Sequence, residues 1–310
     1  MYRVFQAQLI LFIRGLMSIK KPLDYKNFSQ KYNLDSSNFL TLTSPKVLKN
    51  LKESEAPTAV LYMFNDEKAC PFADTCRDVC LIQSGRAIFS QKIMECRKRR
   101  HNAFLSDYSL FMRFCIAEVI RHYSKHRSYD DIGFRFNGTS DWHILRMPIT
   151  LKQVDTDYLL KAFNVYIEPI RYGSIIEALM HGFDVLLNQS VGIKLKMYDY
   201  TKRPITSDDL QLAKKLNYHL SLSHGSKVDL FSVAIELGLN YAASFKLKHN
   251  EPLPKTFTYK GRVLEVLDGD KTDWRPSDPS DTTRIIGLKH KRTKNQDILA
   301  VDKFCINISA

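Results

Sequence analysis

Three cysteines, Cys70, Cys76 and Cys80, stand close together in the chain, directly after an apolar segment. Their spacing is C-x5-C-x3-C, and the other cysteines are scattered along the sequence. Thiolates at such short spacing are ligands for zinc or for an iron–sulfur cluster. Three ligands leave one coordination position open, so that a bound metal could take part in chemistry. The segment therefore predicts a metal centre.

The two metals predict different roles for this segment. A structural zinc takes four ligands, and the fourth would come from Cys96, His101 or Cys305. A [4Fe-4S] cluster held by the three cysteines would keep one iron open to a small molecule. The N-terminus shows no secretory signal with a cleavage site, so we expect reduced thiols in a cytoplasmic protein.

A second group of candidate ligands is acidic. Asp268, Asp270 and Asp273 lie within one short segment, and carboxylates are the ligands that magnesium or manganese prefers. The same segment is also typical of an acidic turn, because Asp-Gly is a strong turn dipeptide. The sequence leaves both interpretations open.

Seven short apolar or alternating segments predict strands, and helical patterns separate most of them. The predicted strands are residues 58–64, 132–136, 194–200, 218–223, 241–247, 263–267 and 285–289. Strands that alternate with helices indicate an α/β fold with a largely parallel sheet. We expect a partial or open (βα) barrel. Residues 88–126 predict two helices that break near 105–107, with Ser106 as N-cap, and Ser207 is predicted to cap a later helix.

The predicted organisation is one large domain behind an N-terminal segment. Residues 1–55 are expected to be irregular, and residues 1–16 are interpreted as an extension upstream of Met17. Residues 56–310 form the domain, with a helical insertion near 150–193. The apolar run at residues 4–17 is too short to span a bilayer, so we expect no membrane partner.

Polar residues follow nearly every predicted strand. In parallel α/β folds, catalytic groups lie at the carboxyl ends of strands, so we expect these residues to share one rim. The catalytic candidates are Tyr198, Asp199, Lys202 and Lys246. The candidates for cofactor binding are Asn137, Gly138, Thr139, Asp141, Ser221, Ser223, Asp268, Asp270 and Asp273.

The chain is strongly basic, with a formal net charge of +13 and a pI near 9.3. Such a charge favours a polyanionic partner such as nucleic acid, although a basic surface without a specific ligand gives the same number. The basic run at residues 98–101 could bind phosphates, or it could be a solvated helix face.

Several of these segments, in this order, resemble the gene-product-eighty-eight-like family of phage proteins. The matching segments are the three cysteines, GR at 85–86, RFNGTSD at 135–141, YDYTK at 198–202, NYHLSLS at 217–223, DGDKTD at 268–273 and GLK at 287–289. The resemblance implies a phage or prophage origin and no particular chemistry.

A looser resemblance is to radical S-adenosylmethionine enzymes, which carry a three-cysteine loop after the first strand of a partial (βα) barrel. It implies a [4Fe-4S] cluster on the cysteines, with S-adenosylmethionine on the open iron. Asn137, Gly138 and Thr139 would then hold the amino group of that cofactor. The spacing differs, because those enzymes have C-x3-C-x2-C.

Three functions follow. The first is a radical-S-adenosylmethionine-like enzyme acting on a nucleic acid or nucleotide. The second is a zinc-stabilised nucleic-acid-binding protein without catalysis. The third is a divalent-metal-dependent nuclease that uses the carboxylates at 268–273.

Overall fold

The computed structural model describes residues 20–80, 82, 90–187, 195–248, 250–291 and 297–306. The helices are α1 (Leu23–Tyr32), α2 (Pro45–Ser54), α3 (Gln91–Ser106), α4 (Tyr108–Lys125), α5 (Gln153–Phe163), α6 (Ile175–Leu187), α7 (Ser207–Lys215), α8 (Leu230–Leu237) and α9 (Ile298–Phe304). The strands are β1 (Thr58–Val60), β2 (Ile132–Arg135), β3 (Ile149–Thr150), β4 (Arg171–Tyr172), β5 (Leu195–Thr201), β6 (Tyr218–Ser223), β7 (Tyr241–Phe245), β8 (Thr256–Tyr259), β9 (Arg262–Asp268) and β10 (Ile285–Lys289).

Eight strands form one open sheet in the order β1-β2-β5-β6-β7-β10-β9-β8. Every neighbouring pair is parallel except β8 and β9, which form an antiparallel hairpin. A separate antiparallel pair joins β3 and β4. The predicted α/β fold with an open, largely parallel sheet is confirmed, and each of the seven predicted strands contributes to it.

The strand order explains why this sheet resembles part of a barrel. From β1 to β7 the strands of the sheet lie side by side in chain order. Right-handed crossovers between such strands all fall on one side of the sheet. That side carries the apolar core, in which Phe134 and Met197 pack with residues of α4. A flat doubly wound sheet would instead reverse its strand order near the middle.

The opposite side of the sheet is polar, and we call it the inner face. It is defined by Arg135 on β2, Tyr198 and Tyr200 on β5, and Ser221 and Ser223 on β6. The Arg135 guanidinium carbon lies 5.7 Å from the Tyr198 ring centre and 5.0 Å from the Tyr200 ring centre. Tyr200 is aligned with Ser221 in the parallel ladder, and side chains at alternate positions share a face.

The expectation that the N-terminal segment is irregular is wrong for residues 23–54, which contain α1 and α2. Both helices are mostly polar, but α2 is amphipathic and starts with the N-cap Ser44 followed by Pro45, signals that could have indicated it. Buried Tyr25 and Phe28 of α1 pack on Phe114 at ring distances of 5.6 and 5.3 Å. The predicted extension at residues 1–16 and the start at Met17 lie outside the described residues.

A buried ion-pair network fastens α1 to the rest of the domain. Arg113 of α4 donates from Nε to Asp155 Oδ2 of α5 at 2.7 Å and from Nη2 to Asp24 Oδ2 of α1 at 2.6 Å. The Tyr25 hydroxyl also donates to Asp155 Oδ1 at 2.7 Å. The first helix is therefore part of the domain.

Two predicted helix caps are wrong by one residue. The break between α3 and α4 is where it was predicted, but the side chain of Asp107, not that of Ser106, accepts the Leu110 N–H at 3.0 Å. Thr206, not Ser207, caps α7 and forms a reciprocal capping box with Asp209. In both cases the side chain that accepts the hydrogen bond is adjacent to the predicted one.

The predicted insertion near 150–193 contains α5, the β3–β4 pair and α6, between β2 and β5, and its last residues lie outside the described part. In the ranges that the structure describes, none of the helices has the length and apolar character needed to cross a bilayer.

Candidate functional site

Residues 66–80, which follow β1 and carry the three cysteines, are called the thiol loop. The loop reaches across the carboxyl edge of the sheet and docks on the segment after β6. Asp74 N donates to Gly225 O and Lys227 N donates to Phe72 O, each at 2.9 Å. Gly225 has φ +84°, and a Cβ placed there would lie 2.9 Å from the Cys76 Cβ. A glycine is therefore required where the thiol loop approaches most closely.

The three thiols come together at this edge. Cys70, Cys76 and Cys80 are half-buried and near enough to interact electrostatically, and Asp141 and Lys202 act on the first two thiols. Burial raises the pKa of Cys70 to about 12, with a smaller contribution from Asp141 and an opposing one from Lys202. Burial also raises the pKa of Cys76. Burial thus favours the protonated form of both thiols.

Within the ranges that the structure describes, no three His, Cys, Asp or Glu side chains are arranged so as to hold a metal ion. The thiols share one loop and one neighbourhood, but they do not form a ready coordination shell. The expected metal at Cys70, Cys76 and Cys80 therefore stays a prediction.

Cys80 has two polar neighbours in the structure. Asn65 Nδ2 donates to Cys80 Sγ at 3.0 Å. Arg97 of α3 is buried, its guanidinium carbon lies 5.2 Å from the Tyr62 ring centre, and Cys80 acts on it electrostatically.

The loop after β2 packs against β1 and is fastened by its own side chains. Asn137 Oδ1 accepts from Ser140 Oγ and Trp142 N, both at 3.0 Å. Thr139 Oγ1 donates to Met63 O at 2.6 Å. A Cβ on Gly138 would lie 2.7 Å from side chains of β1 and the residues after it, so the chain can pass there only as glycine. Asn137, Gly138 and Thr139 thus shape this loop.

Asp141 connects three segments that the sequence predicted to share a rim. Its backbone N donates to Ala69 O in the thiol loop at 2.9 Å. Its carboxylate accepts from Thr201 Oγ1 at 2.7 Å and from Lys202 N at 3.0 Å, both at the end of β5. Lys202 Nζ in turn donates to Ser223 Oγ at 3.0 Å. The structure therefore brings Asp141, Lys202 and Ser223 together with the thiols.

Two other predicted residues of β5 lie deeper in the protein. The fully buried Tyr198 hydroxyl accepts from Asn50 Nδ2 of α2 at 2.9 Å, and its ring lies 5.6 Å from that of Trp274. Asp199 accepts from Asn137 N at 2.8 Å and from the Tyr218 hydroxyl at 2.9 Å. Burial raises the pKa of Asp199 to about 7, although Arg135 and the hydrogen-bond donors act in the opposite direction.

The predicted acidic residues after β9 have separate partners. Asp268 Oδ1 accepts from the backbone N of Asp270 at 2.9 Å, the hydrogen bond that is typical of an Asx turn. Asp270 Oδ2 accepts from Lys289 N at 2.8 Å. Asp273 is buried and forms an ion pair with Arg135. The turn interpretation of Asp268 and Asp270 fits this arrangement.

The remaining predicted residues lie elsewhere on the sheet. Ser221 is buried on the inner face beside Tyr200. Lys246, at the end of β7, forms an ion pair with Asp302 of α9. Arg135, which the sequence analysis did not single out, is the central residue of this face. The sequence feature that could have indicated Arg135 is a charged residue within an alternating strand that is otherwise buried.

The basic run on α3 is not a continuous solvated face. Arg100 is buried and donates from Nε to Asn38 O at 3.1 Å and from Nη1 to Tyr62 O at 2.8 Å. His101 is buried, and its Nε2 lies 3.1 Å from Asp66 Oδ2. Lys98 is exposed, and Arg99 is half-buried. Two of the four residues at 98–101 are thus directed into the protein.

Comparison with known proteins identifies part of this region. Residues 38–148 match the family model described as gene product 88. Over this stretch the chain is similar to the gene product 88 family. It includes β1, the thiol loop, α3, α4 and the loop after β2. The resemblance to the phage family is confirmed over these residues, whereas the segments from 198 onward lie outside the match. No curated protein and no solved structure matches the chain.

Proposed function

We propose that the chain is an iron–sulfur enzyme of the radical S-adenosylmethionine type, with the cluster bound by Cys70, Cys76 and Cys80. The observation that supports this most is the position of the thiol loop. It follows the first strand of an open, largely parallel sheet and lies across the carboxyl edge, where catalytic and ligand-binding groups lie in such folds.

The chemistry of the three thiols suits an iron–sulfur cluster. Three thiols are soft ligands that suit iron–sulfur clusters, and the loop holds them near Lys202, a positive group that can balance thiolate charge. A bound cluster would supply one-electron chemistry. Because the side chains of Asn137 and Thr139 are already hydrogen-bonded, we expect the backbone of their loop to contact S-adenosylmethionine.

The basic surface suggests the substrate class. A net charge of +13 attracts polyanions, so the proposed substrate is a nucleic acid or a nucleotide. The same charge supports the second candidate, a zinc-stabilised nucleic-acid-binding protein without catalysis. For the nuclease alternative we find no supporting observation, since Asp268, Asp270 and Asp273 have separate partners.

The proposal is tested by metal and sulfide analysis of protein purified without oxygen. We expect about four iron atoms per chain with matching sulfide. Both should be lost in Cys76→Ala, because this thiol lies in the loop. They should be kept in Cys96→Ala, a matched control whose thiol, on α3, contacts Asn38 O at 3.5 Å.

Two other results would redirect the assignment. One zinc per chain without sulfide, lost in Cys76→Ala, would favour the non-catalytic candidate. Colourless protein that binds neither metal after reconstitution would contradict both assignments.

A further inference from the structure

Several buried polar atoms on and beside the inner face lack hydrogen-bond partners within the described part of the chain. They include three donors, Arg135 Nε, the Tyr200 hydroxyl and Arg275 Nε, and the acceptor Asp278 Oδ2. Buried polar groups are nearly always hydrogen-bonded, and each one left without a partner costs about 1–3 kcal/mol. Three such donors in one cluster indicate a binding partner that satisfies them together.

Contacts and charge connect the three residues. The Arg135 guanidinium lies over the Tyr200 ring, with 5.0 Å from its carbon to the ring centre. Arg275 and Tyr200 are near enough to interact electrostatically. Arg135 and Arg275 are each 5% exposed, and Tyr200 is half-buried beside Ser221. Tyr200 is therefore the most exposed of the three side chains, although its hydroxyl oxygen is itself buried.

The other nitrogens of both arginines are already used, so the guanidinium groups are held in place. Arg135 binds Asp273 through Nη1 and donates from Nη2 to Asn137 O at 3.5 Å. Arg275 Nη1 lies 3.0 Å from Asp278 Oδ2, and its Nη2 donates to Thr272 O at 2.5 Å. On each arginine Nε, which is a donor, is the nitrogen without a partner among the described residues.

The surrounding acceptors do not meet these donors. The Asp199 oxygen nearest to Arg135 Nε lies 3.9 Å away, beyond hydrogen-bond distance, and Asp199 already accepts from Asn137 N and the Tyr218 hydroxyl. Lys46 adds a further positive charge, 3.5 Å from Asp273. The cluster contains three cations against the two carboxylates of Asp273 and Asp278. Two Nε–H donors and a phenol in such a cluster suit an oxyanion.

We propose that Arg135, Tyr200 and Arg275 bind the carboxylate or phosphate group of a small-molecule ligand on the inner face. The proposal goes beyond the assignment of the thiol loop and does not depend on a metal there. Binding of the oxyanion would supply acceptors for both Nε–H groups and for the phenol.

Trp274 provides a reporter beside this cluster, because it lies next to Arg275 in sequence and packs on Tyr198. The chain has only one other tryptophan, Trp142, whose indole N–H has no hydrogen-bond partner among the described residues. Trp142→Phe therefore isolates the Trp274 emission without removing a hydrogen bond.

The experiment titrates full-length Trp142→Phe protein with inorganic phosphate, with acetate, and with chloride at matched ionic strength. We expect a saturable change in Trp274 emission with phosphate or acetate and none with chloride, and the better of the two oxyanions identifies the class of ligand. Adding Tyr200→Phe should weaken binding by about tenfold, the effect of one lost hydrogen bond to an anion. Adding Tyr166→Phe, which alters an exposed phenol elsewhere, should leave binding unchanged.

Two results would overturn the proposal. One is a response to both oxyanions that is no greater than the response to chloride, which would mean that water satisfies the cluster. The other is an affinity in Tyr200→Phe equal to that of the parent protein.

Discussion

Tyr198 and Tyr200 lie two residues apart on β5 and face the same side of the sheet, yet their hydroxyl groups differ. The Tyr198 hydroxyl accepts from Asn50 Nδ2 at 2.9 Å, whereas the Tyr200 hydroxyl has no partner among the described residues. We expect Tyr198→Phe to lower the free energy of unfolding by about 1 kcal/mol, and Tyr200→Phe to change it by less than about 0.5 kcal/mol. Urea denaturation of both variants measures this, and equal losses would contradict the hydrogen-bond assignment.

The carboxyl group of Asp199 predicts a pH dependence of stability. Its pKa is about 7 in the folded protein, mainly because of burial, and about 3.9 in an unfolded chain. Between these values the folded state holds a proton that the unfolded state has released, so this group lowers stability as the pH rises from about 4 to about 7. Buried His122, whose pKa burial lowers to about 4, acts in the opposite sense.

Comparing Asp199→Asn with wild type at each pH removes the effect of the histidines. Relative to wild type, the variant should gain roughly 2 kcal/mol of unfolding free energy between about pH 5 and about pH 8. Chemical denaturation at both values measures the gain. A difference between variant and wild type that stays constant with pH would show that Asp199 does not titrate in this range.

At the scale of secondary-structure elements and loops, the position of the thiol loop depends on one close contact. Gly225 and Gly238 both have positive φ, +84° and +66°, but only at Gly225 would a Cβ meet other atoms, including Cys76 Cβ at 2.9 Å. Gly238→Ala should cost about 1 kcal/mol through backbone strain alone. Gly225→Ala should cost more and should displace the thiol loop.

Thiol labelling measures that displacement. We expect Cys70 and Cys76 to react several-fold faster with a disulfide reagent in Gly225→Ala, because the substitution opens their half-buried environment. Gly238→Ala is the matched control and should label at the wild-type rate. The same rate in both variants would mean that the contact with residues 224–227 does not position the thiols.

The sequence predicted strands better than it predicted the roles of loops. All seven predicted strands are present, because buried strands need apolar or alternating residues and such runs are visible. The β8 strand was missed because Thr256–Tyr259 is exposed or half-buried at every position and lacks a buried apolar run. The two-residue strands β3 and β4 were also missed. Asn137, Thr139 and Asp268 were predicted to bind a cofactor, but their side chains are hydrogen-bonded within the protein. The residue types that bind ligands are also those that fasten turns, so sequence alone does not separate the two.

At the scale of the whole molecule, the charge of +13 predicts binding that salt weakens. The affinity for a labelled oligonucleotide should fall linearly with salt on logarithmic axes, because phosphate contacts release counterions. Exposed Lys92 and Lys98 of α3 are the candidates for such contacts. Replacing each by glutamine should reduce the slope by about one, whereas Lys31→Gln on α1 should leave it unchanged. Fluorescence anisotropy measures the slope, and binding that is absent or insensitive to salt would contradict the prediction.

The place of β10 between β7 and β9 has a consequence for synthesis of the chain. From β1 to β7, each new strand of the sheet can join a strand that has already left the ribosome. The β8–β9 hairpin cannot join, because its neighbour in the sheet is β10, which follows it in the chain. Until residues 285–289 emerge, one edge of β7 therefore stays unpaired on the nascent chain. The free N–H and C=O groups of such an edge can pair with other chains. We expect β10 to insert between β7 and β9 late in folding, and this stage to be the one at which the protein is most prone to aggregate.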